Sequence, residues 1–410
     1  MPGTHRWKLF LMMVLQFFIW GAWLPPLFDI MKGLEFDETQ KALIGSGFAI
    51  ASIVGIFFSN QFADRTFAAE RFLAVSHLIG GLAMVGLYCT TSFPTFFVLM
   101  LVHSLVYVPT ISVTNSLAFA HLGDAQKEFG IVRMGGTIGW ILAAWPLYFV
   151  LKGIAPEDAL AAKRTVFLIA GIAALLLAGF SLSLPHTPPK PAATAADRLA
   201  WIKAARLLKL PFVLVLFVVT FIDATVHSGY FVMTFTFLEK VGFEGGQIMP
   251  VMSIGQVAEI LTMAALGLVL KNLGWRWTMT LGVLGHAARF AVFAFCNDHT
   301  VIMAVQVLHG ICYAFFFATV YIFIDAYFPK DVRTSAQGLF NLLILGLGDL
   351  AAKWIFVPLQ AHYTSADGKS IDYQSLFLWP TAMALFAAVM LAALFRPPAA
   401  AVLTAPDDAA

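Results

Sequence analysis

The feature that most constrains this chain is a recurring one: windows of about 20 residues that are apolar all round a helix rather than on one face. At about 1.5 Å per residue, each is long enough to cross the hydrocarbon of a bilayer. Twelve such windows fall at roughly 9–31, 42–62, 72–91, 94–120, 132–151, 164–184, 211–237, 247–270, 276–296, 300–327, 335–357 and 374–395. A soluble chain of 410 residues needs a charged coat, yet 60% of this one is hydrophobic and only 12% is charged. The predicted fold class is an all-α membrane protein with twelve transmembrane helices. The first window is too long for a leader's apolar core and lacks a small-residue cleavage site, so it reads as the first span.

Other classes are set aside by what the residues do not form. The net charge of +2 comes from basic residues scattered over loops, with no stripe that tracks phosphates, so no nucleic-acid partner is expected. Cys89, Cys296 and Cys312 lie far apart without a CxxC pair, which suggests neither a disulfide framework nor a metal site. No HExxH, GxSxG or Walker A sequence is present, and no nucleophile–base set, so an enzyme or an ATP-driven pump is not expected.

Residues 185–210 are rich in Pro and Ala and then basic, and read as a cytoplasmic linker. It separates a six-helix bundle at 1–184 from a second at 211–396, and 397–410 reads as a disordered tail. Alternate loops that include both termini carry about twice as many Lys and Arg as the other set, which puts both termini in the cytoplasm.

Polar side chains inside such spans are costly, about 2.5–3.5 kcal/mol for a mid-bilayer charge, and so mark a cavity or a partner. On the fifth span Arg133, Thr137 and Trp140 share one face, a guanidinium, a hydroxyl and a flat ring suited to a polar ring-shaped solute. The competing reading has Arg133 snorkelling to lipid phosphates. Gln256 and Glu259 sit one turn apart on the eighth span, with no Lys or Arg near in sequence, so Glu259 reads first as a carrier of a coupling proton and otherwise as a permanently protonated structural residue. Asp223, His227, Phe231 and Thr234 form a stripe on the seventh span, in which Asp223 and His227 make either a proton relay or a structural ion pair. His309, Tyr313 and Phe317 share a face of the tenth span. On the first span Trp20 lies deep enough to wall a cavity, and Pro25 and Pro26 should break the helix. The stripe of His103, Tyr107, Thr110 and Thr114 on the fourth span reads as interhelical glue. Asp349 and Lys353 read as a self-neutralising pair, and Gly346 and Gly348 beside them as helix packing.

These landmarks resemble one family, the nucleoside:proton symporters of the major facilitator superfamily. The resemblance rests on Leu15-Gln16-Phe17-Phe18-Ile19-Trp20-Gly21-Ala22-Trp23-Leu24, on Ala63-Asp64-Arg65, and on Ser104 to Thr110 with Asn115. It continues through Arg133 to Gly139, Leu184-Pro185-His186, Met252 to Gln256 with Glu259, Arg289-Phe290, and Arg333 to Gly338. It covers nearly the whole chain in order. It implies two six-helix halves of the major facilitator type, a central cavity with alternating access, proton-coupled nucleoside uptake, a monomer in a bacterial inner membrane, and no cofactor beyond the proton. The family's binding positions carry over to Arg133, Thr137, Gln256 and Glu259. Trp140 stands where the family often has Phe, Ser228 and Phe231 where it presents Gln and Asn, His309 where it has Tyr, and Ala314 where it has Asp. Trp20, His227 and Tyr313 complete the expected substrate set, with Asp223 and His227 as further proton candidates. Those departures keep a mono- or disaccharide, or another polar metabolite, open as cargo. A receptor that binds without transporting is a weaker reading, since neither linker nor tail offers an output domain.

Overall fold

The structure is a computed structural model, which describes residues 3–122, 125–189, 205–329, 333–367 and 370–397, with the side chains of 3–4, 56–66, 125–127 and 334 left out of the description. Most of the predicted linker, and the tail beyond Pro397, lie outside the described residues, as do the side chains of Ala63-Asp64-Arg65.

The chain is built from helices: α1 (Gly3–Trp23), α2 (Leu27–Gly33), α3 (Glu38–Thr66), α4 (Ala69–Cys89), α5 (Phe93–His121), α6 (Ala125–Leu151) and α7 (Ala159–Ser181). Then come α8 (Pro211–Val241), α9 (Gly245–Phe295), α10 (His299–Tyr327), α11 (Ser335–His362) and α12 (Tyr373–Leu394). Several outrun the windows read from sequence, because polar residues at a membrane surface continue a helix once apolar residues have started it. Lys163 is a case in point. It precedes the window at 164–184, yet it stands inside α7 and is buried.

Ten helices among the described residues are long and apolar enough to cross a membrane. The predicted eighth and ninth windows fall within the single 51-residue run of α9, interrupted at Gly274, whose φ of 69° and ψ of 175° are not helical. Leu82, Phe149, Leu261, Phe386 and Val389 are all more than half exposed, which suits a surface solvated by acyl chains. The protein is an integral membrane protein.

Two compact units emerge. One comprises the described residues of Met1–Pro191 with Phe231–Ser253, the other those of Ala192–Tyr230 with Ile254–Ala410. In the first, α1 packs on α6 and α7, α4 on α5 and α7, and α3 on α5. The α1–α6 contact is backbone to backbone. A Cβ on Gly135 would stand 2.7 Å from the Phe10 carbonyl oxygen, and one on Gly139 would run into that of Val14. This small-xxx-small spacing is how membrane helices approach without a hydrophobic driving force. As expected, α1 ends at Trp23, just before Pro25 and Pro26, and α2 resumes at Leu27. The α5 stripe serves as glue: Tyr107 donates to the Gln16 carbonyl at 2.5 Å, Gln16 donates to Thr110 at 2.8 Å, and His103 Nδ1 lies 3.1 Å from the Gly80 carbonyl.

In the second unit a Cβ on Gly310 of α10 would run into the backbone of Glu259 on α9, so these two helices also meet closely. Gly348 of α11 approaches Ala224 of α8 in the same way, the packing role read for it from sequence. Asp349 and Lys353 form the expected one-turn ion pair. α10 carries a π-helical turn at Tyr313–Ala318 and α11 another at Leu342–Leu347, features that recur near functional sites.

Candidate functional site

The predicted site residues divide between the two units. In the first, the close approach of α1 and α6 sets Arg133 beside Phe17, and Trp140 beside Trp20 and Gly21. The Arg133 guanidinium lies 4.2 Å over the Phe17 ring, and no carboxylate pairs with it among the described residues. It is half-buried, as are Thr137 and Trp140. An arginine held against an aromatic face, with its donors not committed to a carboxylate, can receive a polar solute. Trp20 stacks on Phe48 of α3 at 4.6 Å and meets Trp140 edge-on at 5.4 Å, and Trp140 meets Phe231 at 5.9 Å. Gly21 makes room for Trp140, since a Cβ there would stand 3.0 Å from the indole. The result is a wall of four rings with one cation at its side. Trp20 joins this wall from α1, while Gln16 of the same helix is taken up by Thr110.

In the second unit Gln256 is buried with its Oε1 lacking a hydrogen-bond partner, and Glu259 is half-buried one turn further along α9. His309 packs against α9 at Gly255, the residue before Gln256: a Cβ on Gly255 would stand 2.7 Å from that of His309. His227 lies 4.9 Å from His309, 6.4 Å from Tyr313 and 5.1 Å from Phe317, ring centre to ring centre. The α10 face of His309, Tyr313 and Phe317 therefore meets α8 at His227.

The seventh-span stripe is completed by a residue from another helix. Asp223 does not pair with His227 one turn away. Its Oδ1 accepts from His286 Nδ1 at 2.8 Å, and His286 Nε2 lies 3.3 Å from His227 Nδ1. His286, on the second half of α9, is thus inserted between them. Arg289, one turn on, is fully buried, donates from Nη1 to His309 Nδ1 at 2.6 Å and lies 4.2 Å over the Tyr230 ring. Tyr230 in turn donates to Gln306 at 2.8 Å. Of these, His286, Tyr230 and Gln306 are not singled out by the sequence reading. The available signal is the i, i+3 spacing of His286 and Arg289 in an apolar span, the same spacing that marks Gln256 and Glu259.

A further charged cluster also escapes the sequence reading. Lys163 of α7 donates to Asp29 of α2 at 2.6 Å and to Glu239 of α8 at 2.8 Å, all within the first unit. Its partners lie 134 and 76 residues away, beyond the reach of any periodicity.

Comparison with known proteins bears on what these sets serve. The nucleoside H+ symporter family model matches residues 4–400. YegT of Escherichia coli (strain K12), a putative nucleoside transporter, is 31% identical over 95% of this chain and 93% of its own length. The xanthosine permease of the same strain is 27% identical, over 93% of this chain and 94% of its own. The crystal structure of the nucleoside transporter NupG has the same fold, with a TM-score of 0.82 at 23% identity, over 96% of this chain and 99% of that one. Matched along almost its entire length, the chain belongs to the nucleoside H+ symporter family.

Proposed function

We propose that this protein is a proton-coupled secondary active transporter that imports nucleosides by alternating access. It is not an enzyme. The observation that carries the reading is the wall of Trp20, Trp140 and Phe231 with Arg133 beside it, in a chain that matches a nucleoside H+ symporter family over residues 4–400. A nucleobase is a flat ring that stacks on aromatic faces, and a ribose is a cluster of hydroxyls that satisfy a guanidinium, a threonine and an amide. Arg133, Thr137 and Gln256 supply the hydrogen bonds. Trp20, Trp140, Phe231 and Tyr313 supply the stacking, and Glu259, His227 and His309 complete the substrate set. Glu259 is the first candidate for the coupling proton, with Asp223 and His227 as further candidates. Proton binding favours the substrate-loaded state, and release inside resets the carrier.

The proposed architecture has twelve spans in two six-helix halves, 1–184 and 211–396, joined by a cytoplasmic linker, in a monomer of a bacterial inner membrane with both termini cytoplasmic. The length of α9 supports the count. A straight run of 51 residues would extend about 75 Å, more than twice the hydrocarbon thickness, so it serves as two spans joined near Gly274. The 29 residues of α3 supply another.

The test is uptake of radiolabelled uridine into proteoliposomes with and without an inward proton gradient, alongside unlabelled nucleosides and sugars as competitors. Gradient-driven accumulation blocked by nucleosides alone supports the reading. Competition by a sugar instead would mean that Ser228, Phe231 and His309 have redirected the cargo to a saccharide or another polar metabolite, with the transport mechanism standing.

A further inference from the structure

The second unit contains a chain of titratable groups, of which Asp223 and His286 lie outside the proposed substrate set. Asp223 and His286 are both wholly excluded from solvent and are joined by a 2.8 Å hydrogen bond. His227, at 3.3 Å from the far nitrogen of His286, is the half-buried member, and so the one that a proton reaches first. Other polar groups face this chain from its own two helices and from α10 and α11. Arg289 stands on the same helix as His286, and Tyr230 on the same helix as Asp223. His309, Tyr313 and the Cys312 thiol, which hydrogen-bonds His286, come from α10. Lys353, paired with Asp349, faces His227 from α11.

The surroundings set the protonation pattern by donor counting. Arg289 has only donors, so Nδ1 of His309 must accept, and the His309 proton sits on Nε2. His309 is thereby held neutral and stays out of the relay. Asp223 accepts, so His286 carries its proton on Nδ1 and offers Nε2 as the acceptor that faces His227. Arg289 supplies one permanent positive charge near the Asp223 carboxylate.

We propose that Asp223, His286 and His227 form a proton relay that stores one proton on His286 against the Asp223 carboxylate, as a station separate from Glu259. The inference rests on the proton coupling proposed above and names residues that act in it. A proton from water binds Nε2 of His227. The Nδ1 proton of His227 passes to Nε2 of His286. His286 becomes an imidazolium paired with the carboxylate, and His227 is again neutral with its remaining proton on Nε2. One proton is gained, the charge of the group rises by one, and the reverse order releases it.

The experiment has two arms on the full-length protein. In the first, protein labelled with 15N-histidine in lipid nanodiscs is titrated between about pH 5 and pH 9 without substrate. The expected result is that the His286 and His227 signals move together, while His309 keeps one tautomer throughout. His286 unchanged across that range, or titrating independently of His227, overturns the relay. In the second, proteoliposomes of His286→Gln and of Asp223→Asn are assayed for gradient-driven uridine accumulation and for uridine counterflow, which needs no net proton movement. Accumulation should fall about tenfold or more and counterflow about threefold or less. Asp223→Glu should recover part of the accumulation in a variant that keeps the carboxylate. Equal losses in both assays from variants that melt at the wild-type temperature overturn the relay. If the wild type moves no uridine in either assay, the symport reading fails, and the titration alone decides whether the relay exists.

Discussion

Arg133 and Arg289 are both guanidiniums within apolar helices, and the structure treats them in opposite ways. Arg133 is half-buried over Phe17, with its donors directed at no carboxylate among the described residues. Arg289 is fully buried, donates to His309, and leaves Nε and Nη2 without a partner. The same side chain therefore serves two ends. An arginine that keeps its donors available beside a stack of rings can be completed by an incoming solute. An arginine sealed among imidazoles and a phenol completes the protein itself, and fixes which of those imidazoles can take a proton.

That contrast can be broken by substitution. The largest effect is expected from Arg289→Met. It removes the donor that His309 Nδ1 accepts from and leaves that buried acceptor stranded, at a cost of about 1–3 kcal/mol. The melting temperature in detergent should drop well below that of Arg133→Met, and equal melting of the two variants would erase the distinction. Next, Arg133→Ala should cut uridine uptake by about tenfold to a hundredfold while the protein melts normally, with Arg133→Lys recovering little, because an ammonium lacks the planar fork. Full uptake by Arg133→Ala would return that residue to the membrane surface. Trp140→Ala, which removes one ring from the wall, should weaken uridine binding by about tenfold, with Trp140→Phe close to wild type, measured by isothermal calorimetry. The smallest effect should come from Asp325→Asn. Its ion pair with Arg333 at 2.9 Å is largely exposed, worth about 1 kcal/mol or less, and neither melting nor uptake should change measurably.

A second contrast lies between what is local and what is not along the same helix. Asp349 and Lys353 stand one turn apart on α11, and they pair with each other. Asp223 and His227 have the same spacing on α8, and they do not pair. Helical spacing says that two residues share a face and leaves open what the facing helix brings. For Asp223 it brings His286, 63 residues away.

The same distinction runs through the site. Periodicity alone makes the faces of Arg133, Thr137 and Trp140, and of Gln256 and Glu259, legible in the sequence. It does not show that Gly135 and Gly139 let α1 close on α6, so that Trp20 and Trp140 meet at 5.4 Å. Lys163 reads as a loop residue because it stands at the head of its apolar window. Only the folded chain draws it inward, against Asp29 and Glu239.

The linear order of residues was thus enough to establish that the chain lives in a bilayer and which polar groups the bilayer would not tolerate facing lipid. Both follow from the cost of exposing backbone and charge to hydrocarbon, a cost incurred residue by residue along each helix. How those polar groups are partnered came from the packing of helices in three dimensions. Packing placed Arg133 against a ring, Arg289 against His309, and His286 between Asp223 and His227, because interhelical contacts depend on where glycines let backbones approach, and the chain order does not encode that distance.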